Sequence, residues 1–225
     1  MSEAFPPIGM IGGTGKLGAA LARRWAKAGL KVDIGSRNPD SAQAAAVALS
    51  HEVGVNIGFG ANRDVAARAD IVVVTVPSAA QDATLTDIRL VVTGKLVVVT
   101  TVPLVPPKVM RVQLPPEGSA AQRAQGVLGE GVTVVSAFHN VAAHKLAIDE
   151  AIACDVLVFG DDRAARTRAV DLANKAGLRG LHGGALANSA AAEAMTSVLI
   201  FINKTYAVDG AGIQITGHLC APSGG

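Results

Sequence analysis

Ile8-Gly9-Met10-Ile11-Gly12-Gly13-Thr14-Gly15-Lys16-Leu17-Gly18 decides the fold. A short apolar run stops on glycines, and from Lys16 to Ala28 the apolar residues Leu17, Ala20, Leu21 and Trp25 return at helical spacing. Gly13, Gly15 and Gly18 therefore form G-x-G-x-x-G between a strand and a helix. There the glycines allow a tight turn, let a pyrophosphate approach the backbone, and let the helix pack on the strand. The helix N-terminus adds free N–H groups and a partial positive charge. Gly12, Gly15 and Gly18 also fit G-x-x-G-x-x-G, a spacing found in short-chain reductases and their non-catalytic sensor relatives. No Gly-Lys-[Ser/Thr] follows, which excludes a phosphate-transfer loop.

Outward from this turn, strands and helices alternate. Lys31–Ile34 reads as a second strand, and Pro39-Asp40-Ser41 opens a helix over Ala42–Ser50. Val53–Ile57 is the candidate third strand, and Asp64–Ala69 a brief helix. Ile71–Val76 and Leu96–Thr101 are β-branched runs of the kind that a doubly buried parallel strand needs. Gln81–Leu90 is roughly helical between them. A loop from Pro103 to Pro116 holds five prolines; Ser119–Leu128 then reads as a helix and Val132–Ala137 as a sixth strand. This alternation predicts an α/β, doubly wound parallel sheet over residues 7–145, with ligands beyond the carboxyl ends of the strands. Residues 146–218 read as a small C-terminal lobe. It has a strand over Cys154–Phe159, a helix over Asp161–Ala176, and a nearly all-apolar helix from Asn188 to Lys204 expected to be buried on most sides.

Composition narrows the partners. Twenty basic residues against 18 acidic ones give a net charge of +2 without a basic run, so no nucleic-acid partner is expected. Aromatic residues are 3% of the chain, too few for a base-stacking platform. Cys154 and Cys220 are far apart, which fits a reducing compartment and no Cys-rich metal site; no metal site is read. Met1–Pro7 does not resemble a signal peptide, and the longest apolar runs, such as Val198–Ile202, fall short of a bilayer span. A cytoplasmic protein without a membrane partner is the expectation.

The second strand ends in Gly35-Ser36-Arg37-Asn38, where an NAD-binding chain usually carries an acid for the ribose 2′-hydroxyl. Ser36 and Arg37 instead suit an adenosine 2′-phosphate, which points to NADP(H). Asp33 falls inside the strand. Thr75-Val76-Pro77-Ser78 ends the fourth strand, along the path of an extended dinucleotide. After the sixth strand, Ser136-Ala137-Phe138-His139-Asn140 places His139 and Asn140 where the nicotinamide and a second substrate should meet.

Ile11–Gly18, Gly35-Ser36-Arg37, Val135–Asn140, Gly160-Asp161-Asp162 and Leu186-Ala187-Asn188-Ser189, in this order, resemble the NADPH-dependent reductases of the deazaflavin coenzyme F420. The resemblance runs from about Pro7 to His218. Gly35–Pro39 is also similar to the cytoplasmic reductase domain of membrane metalloreductases, which pass hydride to a flavin. The F420 family implies a Rossmann-type domain, a small C-terminal lobe, a homodimer, and hydride transfer between NADP(H) and a deazaflavin over the nicotinamide. Where archaeal members carry an arginine and a serine near the deazaflavin, this chain has Ala190 and Ala194; Thr196 and His139 remain.

The candidate cofactor residues are Gly13, Thr14, Gly15, Lys16 and Leu17 at the pyrophosphate and Ser36 and Arg37 at the 2′-phosphate. Val76, Pro77, Ser136 and Ala137 follow along the dinucleotide. The candidate catalytic residues are His139, Asn140 and Thr196, with Thr196 toward the acceptor. Ring-to-ring hydride transfer needs little proton chemistry, whereas carbonyl reduction needs a donor. The last long helix offers Glu193 and Thr196 but no Lys, His or Tyr before Lys204, and no Tyr-x-x-x-Lys pair follows. The acceptor is then coenzyme F420 or a flavin-like small molecule. The alternatives are an NADPH-dependent flavin, metal or imine reductase, and a non-catalytic NADPH sensor.

Overall fold

The computed structural model describes residues 5–220. The first four residues of the segment read against a signal peptide lie outside that range. Strands β1 (Ile8–Ile11), β2 (Val32–Ser36), β3 (Gly58–Ala61), β4 (Ile71–Val74), β5 (Leu96–Val99) and β6 (Thr133–Ser136) form a parallel sheet. β7 (Asp155–Gly160) joins β6 antiparallel, and β8 (Arg179–Gly184) runs parallel to β7. The order is β3-β2-β1-β4-β5-β6-β7-β8, so the chain reverses direction across the sheet at β1. A switch point of that kind opens a crevice between the loops after β1 and β4. The expected α/β, doubly wound sheet is the one observed.

β4 and β5 pair Val72 with Val97 and Val73 with Val98, and all eight residues of the two strands are buried. Both faces are covered, which is what continuous β-branched runs demand. On one face, α1 (Lys16–Lys27), α2 (Pro39–Val53) and α7 (Arg163–Lys175) bury Trp25, Ala46 and Leu172. On the other, α3 (Asn62–Arg68), α4 (Ser78–Ile88) and α5 (Ala120–Leu128) bury Val65, Leu85 and Ala124.

The chain after residue 146 continues the same sheet, and α1 docks it. Trp25 Nε1 donates to the Leu172 carbonyl at 2.8 Å, and its ring meets Phe138 edge-on at 5.8 Å. The Arg24 guanidinium donates to the carbonyls of Leu146 (2.8 Å), Ile148 (2.7 Å), Glu150 (3.0 Å) and Ala176 (2.8 Å). Arg24 thus closes the open end of the short helix α6 (Ala143–Leu146).

The third strand needs correction. Val53 ends α2, which closes on Gly54 at φ +73°, and β3 starts at Gly58. Gly-Phe-Gly-Ala has little strand propensity, but Gly58 is required. A Cβ there would lie 2.1 Å from the Asp33 carboxylate on the neighbouring strand. β8, rich in glycine, escaped the sequence reading for the same reason.

The last long helix, α8 (Ser189–Tyr206), departs further from expectation. Burial on most sides was predicted. Instead the buried set is Ser189, Ala192, Glu193, Ser197 and Leu199, while Val198 and Phe201 are 42% and 53% exposed. The segment Leu186–Tyr206 is also long and apolar enough, by length and composition, to cross a membrane, which the sequence reading had not registered. Only a third of its most apolar stretch is buried, and Ser189, Glu193 and Ser197 are turned inward.

Candidate functional site

A cleft of about 160 Å³ opens beyond the carboxyl ends of β1, β2 and β4, at the switch point. Its walls include Gly12, Thr14, Gly15, Ser36, Arg37, Asn62, Thr75, Val76 and Pro77. The glycines have separate tasks. Gly12 takes φ +73°, a left-handed turn that side chains resist, and a Cβ on it would strike Val76. Gly13 is buried, its N–H donates to the Gly35 carbonyl at 3.0 Å, and a Cβ there would meet Met10. Gly18 packs under Thr75 with no room for a side chain. Gly15 is exposed, and a Cβ on it would meet only the Gly12 and Thr75 carbonyls, at 3.4 and 4.0 Å. It is the position where a ligand can reach the backbone.

Gly15 is the N-cap of α1; no side chain caps that helix, and no acid lies in its first turn. Its first N–H groups therefore keep their need for an acceptor. Thr14 and Lys16 are exposed at this end, and Leu17 is half-buried against the core. An anionic group fits here on dipole, hydrogen-bond and charge grounds.

At the end of β2, Ser36 is buried and its Oγ accepts from the Asn38 N–H at 3.3 Å. Asn38 in turn caps α2, accepting from Asp40 N–H at 2.9 Å. Arg37 is exposed at the cleft, with no ion-pair partner among the described residues. Asp33, the acid on β2 itself, pairs in register with Gly9 and Gly58 and is bound by Arg68. It lies mid-strand, away from the strand end where a ribose acid would stand.

Val76 is buried behind Gly12, and Pro77 is exposed as the N-cap of α4. Thr101 Oγ1 donates to the Val76 carbonyl at 3.2 Å, fixing β4's exit to the loop after β5. Ser136 and Ala137 are fully buried and do not line the cleft. Ser136 Oγ lies 2.6 Å from Ser189 Oγ, and Ser189 donates onward to the Leu186 carbonyl at 2.6 Å. These two residues hold α8 against β6.

His139, Asn140 and Thr196 are brought together. Phe138 takes φ +65°, an uncommon conformation for a bulky residue, while its ring anchors against Trp25. That turn carries His139, which is 7% exposed. Burial pushes its pKa down to about 4, so the imidazole is neutral near pH 7. Its Nε2 is buried with no hydrogen-bond partner among the described residues. Asn140 Nδ2 donates to the Ala192 carbonyl at 2.9 Å and to Thr196 Oγ1 at 3.1 Å. Thr196 Oγ1 lies 3.1 Å from the His139 carbonyl. A hydroxyl of α8 thus holds the loop that carries His139.

The sequence reading missed Asn62, which is 5% exposed and accepts from the Gly12 N–H at 3.2 Å. Thr75, which the sequence placed in the stretch along the dinucleotide without naming it a site residue, donates from Oγ1 to the Ile11 carbonyl at 3.0 Å. Asn62 directly follows β3, so the misplaced strand concealed it.

Comparison with known proteins bears on this arrangement. Residues 7–103 match the family model described as NADP oxidoreductase, coenzyme F420-dependent. The F420-dependent NADP reductase of Methanothermobacter thermautotrophicus is 41% identical over 218 residues, 93% of this chain and 94% of that protein. That of Methanocaldococcus jannaschii is 37% identical, covering 93% of this chain and 97% of its own length. The chain belongs to the F420-dependent NADP reductase family. Among solved structures, a hypothetical protein from Sinorhizobium meliloti overlays with a TM-score of 0.67 at 23% identity, covering 82% of this chain and 88% of that one. The pyrroline carboxylate reductase of Plasmodium falciparum, solved with NADP bound, gives 0.56 at 14% identity, with 80% and 59% covered. These structural likenesses support the fold of this family member.

Proposed function

We propose that this chain is an NADP-dependent oxidoreductase that transfers a hydride between NADP(H) and the deazaflavin coenzyme F420. The observation that carries the dinucleotide half is the acid-free end of β2. Arg37 stands there with no ion-pair partner among the described residues, across a cleft from an uncapped helix N-terminus. The acceptor half is supported by relatives that are named for F420 and match nearly the whole chain. Such relatives do not favour a flavin, metal or imine reductase, or a sensor.

When bound, the nicotinamide supplies or accepts the hydride. The chain's own work is to hold and to exclude. Thr14, Gly15, Lys16 and Leu17 would bind the pyrophosphate on α1's free N–H groups, with Gly13 shaping the turn. Ser36 and Arg37 would bind the 2′-phosphate. Val76 and Pro77 would lie along the dinucleotide, with Ser136 and Ala137 backing the far end. Neutral His139 offers a hydrogen bond from Nε2 without delivering a proton, which suits hydride transfer between stacked rings. Asn140 and Thr196 fix the loop on which it sits, and Thr196 lies on the acceptor side.

In this reading residues 7–145 carry the dinucleotide and 146–218 complete the acceptor side. The partner is a small redox co-substrate, with neither nucleic acid nor membrane required. The outward row Met195, Val198 and Phe201 on α8 supports a homodimer, and a cytoplasmic setting fits the reduced cofactors involved. Anaerobic mixing with NADPH and F420, FMN or an imine tests the reading. Loss of the deazaflavin's visible absorbance with F420 is expected. Turnover with FMN or an imine alone would make it another reductase, and NADPH binding with no turnover would make it a sensor.

A further inference from the structure

The buried side of α8 carries one acid. Glu193 is 1% exposed, and its carboxylate accepts from the N–H groups of Ala120 at 2.7 Å and Ala121 at 3.1 Å, the first two residues of α5. This is more than α5 needs for capping. Ser119 already caps it through the Gln122 N–H at 3.0 Å, and Gln81 of α4 donates to the Ala120 carbonyl at 2.9 Å. Among the described residues no cation pairs with Glu193. Arg123 of α5 is paired with Asp82 of α4, and Lys108, Arg111 and Glu117 of the preceding loop are exposed. His139, on the loop that meets α8 at Ala192 and Thr196, is neutral. A buried carboxylate without a counter-ion is costly, and a helix N-terminus is the neutral partner that best offsets it.

One turn further on, Ser197 Oγ donates to the Arg111 carbonyl at 3.3 Å, and Thr196 meets the His139 loop. The loop after β5, the start of α5 and the loop after β6 are therefore all referenced to five residues of α8. We propose that Glu193 is a positioning residue: its carboxylate locks α8 onto the N-terminus of α5 and so sets where Thr196 and His139 stand, without touching either reactant. This rests on the hydride-transfer function proposed above.

Burial raises the Glu193 pKa to about 7, against the pull of the two N–H groups. The lock therefore engages as pH rises through neutrality, when both oxygens become acceptors. A glutamine would turn an N–H donor toward one of the two N–H groups and lose that bond.

The test compares the full chain with Glu193→Gln in anaerobic steady state. Expected is a loss of about tenfold in kcat/KM for F420, in line with one lost hydrogen bond to a charged group. NADPH affinity, read by its fluorescence, should be unchanged. The wild-type rise of kcat/KM for F420 around pH 7 should vanish in the variant; the substrates' own ionisations occur in both proteins and cancel. Glu193→Asp keeps the charge on a shorter stem and should keep the pH dependence at reduced kcat/KM. Unchanged F420 kinetics, an equal loss of NADPH affinity, superposable pH profiles or a flat Asp profile would each overturn the proposal. A wild-type chain that reduces no F420 would overturn the underlying function as well, which distinguishes that failure from this one.

Discussion

Helix α1 turns Leu21, Ala22 and Trp25 into the core and leaves Lys16 and Lys27 in solvent, whereas α8 turns Ser189, Glu193 and Ser197 inward and leaves Phe201 outside. The first is held by a wide apolar face, whose burial is strong and non-directional, to which Arg24 and Trp25 add hydrogen bonds. The second is held by hydrogen bonds to Ser136, the start of α5, the Arg111 carbonyl and the His139 loop, which are weaker but fix a register. Apolar burial dominates at α1, whereas polar contacts dominate at α8.

That contrast can be attacked from either side. The largest effect should come from Trp25→Ala, which removes a fully buried ring and its bond to Leu172 and should cost about 3–5 kcal/mol in chemical denaturation. A cost below 1 kcal/mol would mean that α1 does not hold the halves together as described. Next, Arg37→Ala should weaken NADPH binding by about 1.5–3 kcal/mol while barely affecting NADH. Equal losses for both coenzymes in a titration would remove the 2′-phosphate role.

The pH dependence tests the loop that α8 aligns. The folded-state pKa of His139, about 4, lies below its ordinary 6.5. Between those values the unfolded chain takes up a proton that the folded chain refuses, so stability falls as pH drops from about 6.5 toward 4. His139→Gln should remove that part of the slope in urea melts; an identical slope would place the imidazole in contact with water. The smallest effect on the isolated fold belongs to the outer face of α8. Phe201→Ser should change chain stability by no more than about 0.5 kcal/mol yet weaken the proposed homodimer, read as a shift toward monomer in sedimentation. An unchanged sedimentation profile would uncouple that face from self-association.

The first half of the chain was legible because its signals are local. Gly12–Gly18 announces a turn, Ile71–Val74 announces a doubly covered strand, and Ser36-Arg37 sits where the strand pattern ends. β3 was not legible, since its first glycine answers to what lies opposite it; the Asp33 carboxylate crowds a side chain at Gly58. Asn62 was lost with it. α8 misled for a deeper reason. Periodicity reports which face is apolar, and burial is normally inferred from that, but here the polar stripe is buried. Only the partners show this: the Ser136 hydroxyl, the α5 N–H groups and the Arg111 carbonyl are invisible along the chain.

Arg24 and Trp25 lie on the helix whose first turn faces the dinucleotide cleft, and they fasten it to residues 146–150 and Leu172. One rod thus ends in the proposed coenzyme cradle and is bolted along its length to the rest of the molecule. A scaffold built this way has no free hinge between its two ends. The gap a hydride must cross is then gauged when the chain folds, not when the reactants arrive.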